Sequence, residues 1–299
     1  MIAVLQILLV VLAAPLLPGV IAKTKARVAG RSGPPLLQPY FDIAKLMRKG
    51  TVLSETTTWV FLAGPALAVV VPLFGALLLP LAGTRAPIAF AGDLIVFIYL
   101  FALSRFFTSV AAFDTGSAFE GMGAARELTF GALAEPALFF GLLALARISG
   151  SLSLSTLLTV GGAGWHRASA AMVLIVASWF IVLLAENSRI PFDDPNTHLE
   201  LTMIHEVMVL DHSGPALGLI EYGSALKLFV FTELVADLVL PRTGNPLADA
   251  AATVAAVLAI GVGIGFVESG MARLRLVRVP QLLITASLAA GFAVVLVLR

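Results

Sequence analysis

Residues 93–113 read DLIVFIYLFALSRFFTSVAAF, and the only charges in them are Asp93 at the start and Arg105 near the middle. A helix of about 20 apolar residues, rising about 1.5 Å per residue, crosses the roughly 30 Å hydrocarbon core of a bilayer. This stretch has that length and that character, so it predicts a transmembrane helix. Outward from it, similar stretches recur at residues 2–22, 59–82, 128–148, 168–186, 215–240, 247–268 and 280–298. The expected fold is an all-α integral membrane protein, one membrane domain over residues 1–299 with about eight transmembrane helices. Composition agrees, since 59% of residues are hydrophobic and 12% charged, against roughly one quarter charged in a soluble domain.

The first stretch resembles a signal peptide, but no basic segment precedes it and no small-residue cleavage site follows, so it reads as a retained span. The chain has no cysteine and can supply neither iron–sulfur ligands nor a disulfide. Redox chemistry must then belong to a partner. The net charge of +1 becomes informative once divided by side. Eight spans put Lys23, Lys25, Arg27, Arg31, Lys45, Arg48, Lys49, Arg126, Arg189, Arg273, Arg275 and Arg278 on one face, and Arg85, Arg147, Arg167, Arg242 and Arg299 on the other. Twelve against five makes the first face cytoplasmic by the positive-inside rule, with both termini outside the cytoplasm.

The external loops read as short or Gly/Ser-rich (149–167), whereas the two long cytoplasmic connections differ in sign. Residues 23–49 hold seven bases and one acid, Asp42; residues 186–212 hold Glu186, Asp193, Asp194, Glu200, Glu206 and Asp211 with one base, Arg189. Lying on the same face, the two are expected to attract each other. Within the first, Leu36, Tyr40, Ile43 and Met47 share a helical face with Leu37, Phe41 and Ala44, while Gln38, Asp42, Lys45 and Lys49 form the opposite stripe. With Pro39 suited to a first turn, residues 36–49 are expected to form an amphipathic helix on the cytoplasmic surface. An ordinary lipid-surface anchor is the plainer reading of it.

Charges inside spans are costly, about 2.5–3.5 kcal/mol each on insertion scales, and mark functional sites by default. Arg105, Glu135, Glu221, Lys227, Glu233 and Asp237 are of this kind. At 100° per residue Glu233 and Asp237 share a face, with Lys227 about 80° beyond Asp237 and Glu221 on the other side. Such groups suit proton transfer, although Arg105 reads equally well as the structural partner of a span carboxylate. Asp93 and Asp237, near span ends, are expected to reach water. His198, Glu200, His205 and Glu206 suggest metal ligands, but Val209 stands where the His-Glu-x-x-His pattern needs its second histidine. No phosphate loop, nucleophile elbow or nucleic-acid motif occurs. The absence of a pair of broken helices lowers the case for a free-standing ion transporter, which would transport ions as a purified monomer.

Four segments carry a family resemblance: Gly33-Pro34-Pro35-Leu36-Leu37-Gln38 with Asp42 and Lys45; Asp114-Thr115-Gly116-Ser117 through Arg126-Glu127 to Glu135-Pro136; Glu186 with Arg189-Ile190-Pro191-Phe192-Asp193; and Glu268 with Met271-Ala272-Arg273-Leu274-Arg275-Leu276. The chain resembles the heel subunit (subunit 1) of respiratory complex I, and more closely its counterpart in formate hydrogenlyase and other group 4 membrane-bound NiFe-hydrogenases and hydrogenase-related complexes. The resemblance implies a prokaryotic inner membrane and eight spans. It also implies a cytoplasmic face that docks hydrogenase-like large and small subunits carrying Fe-S clusters and, in some complexes, NiFe, with antiporter-like proteins continuing the membrane arm. The chain itself would bind no cofactor and contact no nucleic acid.

On this resemblance Glu135, Lys227, Glu233, Glu221, Glu186 and Arg105 are assigned to a proton relay. Arg189, Asp193, Asp194, Glu200, Glu206 and Asp211 form the acidic loop, and Gln38, Asp42, Lys45, Arg126 and Glu127 a docking surface or quinone site. Lys227 and the Asp-Thr-Gly-Ser segment favour the hydrogenase branch, which needs no quinone. Asn196 and His198 depart from the glutamate-rich complex I loop, which argues the same way; a quinone-site subunit of an NADH:quinone oxidoreductase-like complex remains the alternative. Because no native cysteine competes, single-cysteine variants test the topology: Lys49→Cys should label only from the cytoplasmic face and Arg299→Cys only from the opposite face, and the reverse pattern would invert it.

Overall fold

The computed structural model describes residues 2–81, 85–159, 161–193 and 203–299, and of residues 2, 3, 5 and 161–163 only the backbone. Among these residues thirteen α-helices follow in order: α1 (Ile2–Ala13), α2 (Leu16–Val28), α3 (Gln38–Met47), α4 (Trp59–Leu77), α5 (Asp93–Asp114), α6 (Ala118–Ser149), α7 (Leu154–Thr159), α8 (Gly161–Arg167), α9 (Ser169–Glu186), α10 (His205–Met208), α11 (Gly214–Val239), α12 (Pro246–Gly270) and α13 (Val279–Leu298). No strand occurs among the described residues. Asp194 and Glu200 of the acidic loop, with Asn196 and His198, lie outside the described residues.

Seven of the described segments are long and apolar enough to cross a membrane. The eighth expected span is α11, whose 26 residues are ample in length but whose Glu221, Lys227, Glu233 and Asp237 set it apart from the apolar seven. Its position explains how it tolerates them. It packs against α4, α3, α12 and α9 and buries most of its length, so Glu233 and Asp237 are enclosed by protein and Lys227 is half-buried, while Glu221, near the start of the helix, is exposed.

Several boundaries differ from the sequence expectation, each for a local reason. The first span breaks at Ala14 and Pro15, where proline has no N–H to continue the ladder, and α2 then runs on to Val28, taking Lys23, Lys25 and Arg27 into the helix. Helix α6 starts at Ala118, so Arg126 and Glu127 stand on a helix and not in a loop. Its 32 residues span about 48 Å, more than a bilayer core needs. Residues 149–167 are not a plain loop, because α7 and α8 lie within them. Helix α3 forms where expected, with Pro39 in its first turn, but it is rolled. Gln38, Ile43 and Leu46 border a cavity, with the exposed Asp42 at its rim, while Phe41 is left 60% exposed.

Prolines shape the contact between α4 and α11. Pro65 and Pro72 lie inside α4, and each frees the carbonyl four residues earlier, those of Phe61 and Ala68. The Phe61 carbonyl is met by His212 Nε2 at 3.2 Å, and the His212 ring stacks on Phe61 at 3.9 Å. Burial holds the His212 imidazole below its ordinary pKa, outweighing the Phe61 bond and Asp211. The Ala68 carbonyl faces Gly223 of α11, where any Cβ would collide with it. Gly223→Ala should therefore force the seam apart and destabilise the protein by about 1–3 kcal/mol, read as a lower melting temperature in detergent. Gly263→Ala, where a Cβ meets nothing within 4 Å, should melt as the parent does.

Candidate functional site

Four helices each contribute one charge to a buried ionic chain. Arg105, in mid-α5, lies with Nη1 3.0 Å from Glu135 Oε1 on α6 and Nη2 2.9 Å from Glu186 Oε1 at the end of α9. The second oxygen of Glu186 is 2.9 Å from Lys227 Nζ on α11. The order is therefore Glu135, Arg105, Glu186, Lys227, alternating in sign and summing to zero. Gly131 of α6 makes room for it, since a Cβ there would strike the Arg105 guanidinium. Glu186 is almost fully enclosed (5% side-chain exposure) whereas Glu135 is 38% exposed at the outer surface of the chain.

Arg105, Glu186 and Lys227 of the ionic chain line a cavity of about 150 Å³, together with Glu127, Arg189, His205, Glu206, His212 and Glu221. A second cavity of about 460 Å³ opens between α2, α3 and α11, lined by Lys25, Gln38, Asp42 and Glu268 among others. Arg189, Glu206 and Glu221 line both, so the two cavities adjoin, and the inner one reaches Glu186 and Lys227. Gln38 Nε2 donates to Asp42 Oδ1 at 2.9 Å on the rim. Burial pushes the Glu206 carboxyl above the usual range, with Glu221 and Asp193 adding to the shift and His205 opposing it. A protonatable acid thus stands where the two cavities meet.

The loop around this passage is tied down by acids. Asp193 accepts the backbone N–H groups of Ile204 and His205 at 2.9 and 3.0 Å and pairs with Arg273 at 3.0 Å. Arg126 donates to the Met203 carbonyl at 2.9 Å, and Glu120 receives the Asp211 N–H at 2.9 Å. The expected attraction between the basic and acidic loops takes a different form. Lys25 finds its acid on α12, Glu268, at 2.8 Å, and Arg189 of the acidic loop approaches that same carboxylate at 3.6 Å. Glu268 gathers both because its side chain is enclosed between them.

Of the residues singled out from sequence, Arg105, Glu135, Glu186 and Lys227 are joined directly. Glu127, Arg189, Glu206 and Glu221 line the inner cavity, and Gln38 and Asp42 the outer one. Lys45 is exposed on α3, outside both linings. Asp193 and Arg126 act on the loop backbone, Asp211 is held there through its own N–H by Glu120, and Glu233 lies elsewhere on α11. Asp93 and Asp237 do not reach water, for both are buried. Asp93 fastens the far-side loop by accepting from Leu154 N at 2.5 Å and Ser153 Oγ at 3.1 Å, and Asp237 is paired with Arg242 at 2.6 Å. Sequence reasoning did not assign Lys25, Glu268, His205 or His212 to the site: Lys25 was read only as loop charge, Glu268 only as part of a family motif and His205 only as a suggested metal ligand, while His212 carried no signal.

An all-helical bundle with paired charges beneath a loop-covered passage matches one family over its whole length. The NADH dehydrogenase family matches residues 1–299. The chain belongs to that family. It is 33% identical over 285 residues to formate hydrogenlyase subunit 4 of Escherichia coli (strain K12), covering 93% of this chain and 92% of that protein. Hydrogenase-4 component C of the same organism is 36% identical over 239 residues, 80% of this chain and 75% of the relative. An NADH-quinone oxidoreductase subunit of Rubrobacter xylanophilus is 28% identical over 223 residues, 71% and 64% of the two chains. A chain of the membrane-bound sulfane sulfur reductase, an archaeal respiratory membrane complex, shares the fold, with a TM-score of 0.82, 23% identity and coverage of 98% of this chain and 100% of that one. The relatives are parts of oxidoreductase complexes, and the seven apolar spans make this chain a multi-pass membrane protein.

The neutrality of the ionic chain yields a test. Glu186→Gln leaves a surplus cation and Lys227→Met a surplus anion, each costing on the order of 3 kcal/mol where the group is buried, less at Lys227, which reaches the cavity. The double variant restores neutrality, so its melting temperature should lie above that of Glu186→Gln alone. A double variant that melts lower than both singles would deny that the groups act as one unit.

Proposed function

We propose that the chain is the membrane-anchoring and energy-coupling subunit of a multi-subunit oxidoreductase of the group 4 hydrogenase or complex I type. Its surface helix and loops dock a soluble arm of large and small subunits that carry Fe-S clusters and, in a hydrogenase, nickel and iron. The arm lies on the cytoplasmic side of a prokaryotic inner membrane, both termini of the chain lie outside, and antiporter-like subunits continue the membrane arm. The redox centres are the partners', and the part played by this chain is to link their electron transfer to proton or sodium translocation. The carrying observation is the neutral Glu135–Arg105–Glu186–Lys227 chain, three members of which line a cavity that adjoins the one beside α3.

The chemistry follows from the arrangement. A charge or proton arriving in the passage acts on Glu206, Glu221 and Arg189 before it reaches Glu186. Glu186 is shared between an arginine and a lysine. Any event in the passage that weakens the Glu186–Lys227 pair leaves Glu186 to Arg105 alone and shifts the balance at Glu135 across four helices. A cavity of about 150 Å³ has room for several waters, which would carry protons along the side lined by Glu206, Glu221, Glu186 and Lys227.

The second reading, a quinone headgroup in the outer space, is favoured by one observation. Its 460 Å³ falls within the range of about 300–1,000 Å³ typical of small-molecule sites, whereas the inner cavity is smaller. Depleting quinone from the membranes separates the two, because only the quinone reading loses turnover. The coupling reading predicts that Lys227→Ala and Glu135→Gln, in assembled complex, keep electron transfer in the soluble arm but lose proton uptake or release in sealed vesicles. Full redox-linked translocation by both variants would sink it.

A further inference from the structure

Beyond Lys227, α11 carries two more carboxylates toward its far end, about 9 and 15 Å along the axis. Glu233 and Asp237 are one turn apart, the spacing at which side chains share a face, and neither has any exposed surface. Asp237 Oδ1 is 2.6 Å from Arg242 Nη2. The other Asp237 oxygen and both oxygens of Glu233 have no hydrogen-bond partner among the described residues. Arg242 is also within 3.4 Å of Thr253 Oγ1 and of the Pro80 carbonyl, so acceptors other than Asp237 are in reach.

The charged surroundings are sparse. Those that act on Glu233 are Asp237 and Arg242. Helices α1, α4 and α7, packed on α11, contain no charged residue. Helix α12 offers Asp249, which is occupied by Thr243 and Gly244, and α8 offers only His166 and Arg167, both exposed. Charges on α2 and α3, and Glu268 of α12, stand at the opposite, loop-bearing end. Lys227 and Glu186 neutralise each other. Among the described residues the balance is therefore two buried carboxylates against one cation. A carboxylate without a donor in dry surroundings is far costlier than its neutral acid.

We propose that Glu233 and Asp237 form a one-proton binding site in the half of the bundle away from the loops, with Arg242 as the positioning residue that keeps the negative charge on Asp237 and the proton on Glu233. If Arg242 shifts to Thr253 and the Pro80 carbonyl, Asp237 loses its counter-charge, and the proton passes from the Glu233 carboxyl to the Asp237 carboxylate. The site deepens the coupling reading and needs that reading only for the use made of the proton. Occupancy is a property of the resting protein.

Infrared difference spectroscopy of the purified, assembled complex tests it without turnover, so a relay that failed in vesicles would leave the result standing. A protonated carboxyl has a carbonyl band well separated from that of a carboxylate and shifted in D₂O. Glu233→Gln should remove one such band. Arg242→Gln should add a second, because both acids are then protonated, and Asp237→Asn in that background should remove the addition. Selective ¹³C labelling of glutamate in the unsubstituted complex should move the Glu233 band, and in Arg242→Gln should leave the added aspartate band unmoved, which covers the case of a variant that fails to assemble. Spectra of parent and Glu233→Gln that coincide in the acid region would overturn the proposal. So would loss of the band on adding sodium ions at constant pH, which would make this a metal-cation site.

Discussion

Glu186 carries an ion pair on each of its carboxylate oxygens, one to Arg105 and one to Lys227, and it does so at the last residue of α9 with almost no contact with solvent. The rest of the site depends on this double pairing. Remove the acid and two cations from different helices face each other across a cavity; remove either cation and a carboxylate is left in surroundings that solvate it poorly. The pairings join α5, α6, α9 and α11 by charge at the depth where apolar packing alone would allow them to slide.

That constraint explains the shape of the surrounding helices. Gly131 leaves room for the Arg105 guanidinium, and Gly223 lets α11 approach the carbonyl that Pro72 frees in α4. Pro65 performs a similar service for the Phe61 carbonyl, which His212 then satisfies from the loop. Helix breakers inside α4 thus give the cavity its wall while the freed backbone groups still find neighbours, the condition under which a membrane helix tolerates proline. Above the cavity, Asp193, Glu120 and Glu268 direct their charge to backbone and to bases, holding the loop and α2 around the entrance.

Much of this was legible in the chain itself. The long apolar runs had the length of spans, and Arg105, Glu135 and Lys227 stood out because charge in such runs is costly. The break at Pro15 and the ten-residue extension of α6 were harder to see, since apolarity marks where lipid is and not where a helix begins. Asp93 and Asp237 were misread for a related reason: nearness to a span end says nothing about whether another helix or loop covers that end.

The sequence by itself determined the solvent, the class of fold, the family and the identity of the costly charges, because each of these follows from local composition or from short motifs. Tertiary structure alone decided which charge meets which. Arg105 and Glu135 are 30 residues apart, and Arg105 and Glu186 81 residues apart, so no periodicity along the chain could join them. It also decided that Lys25 turns to Glu268, that Gln38 and Asp42 of α3 border a cavity, and that Glu233 has no donor among the described residues. Pairing across helices is set by how the helices pack, and that is a property of the assembled bundle.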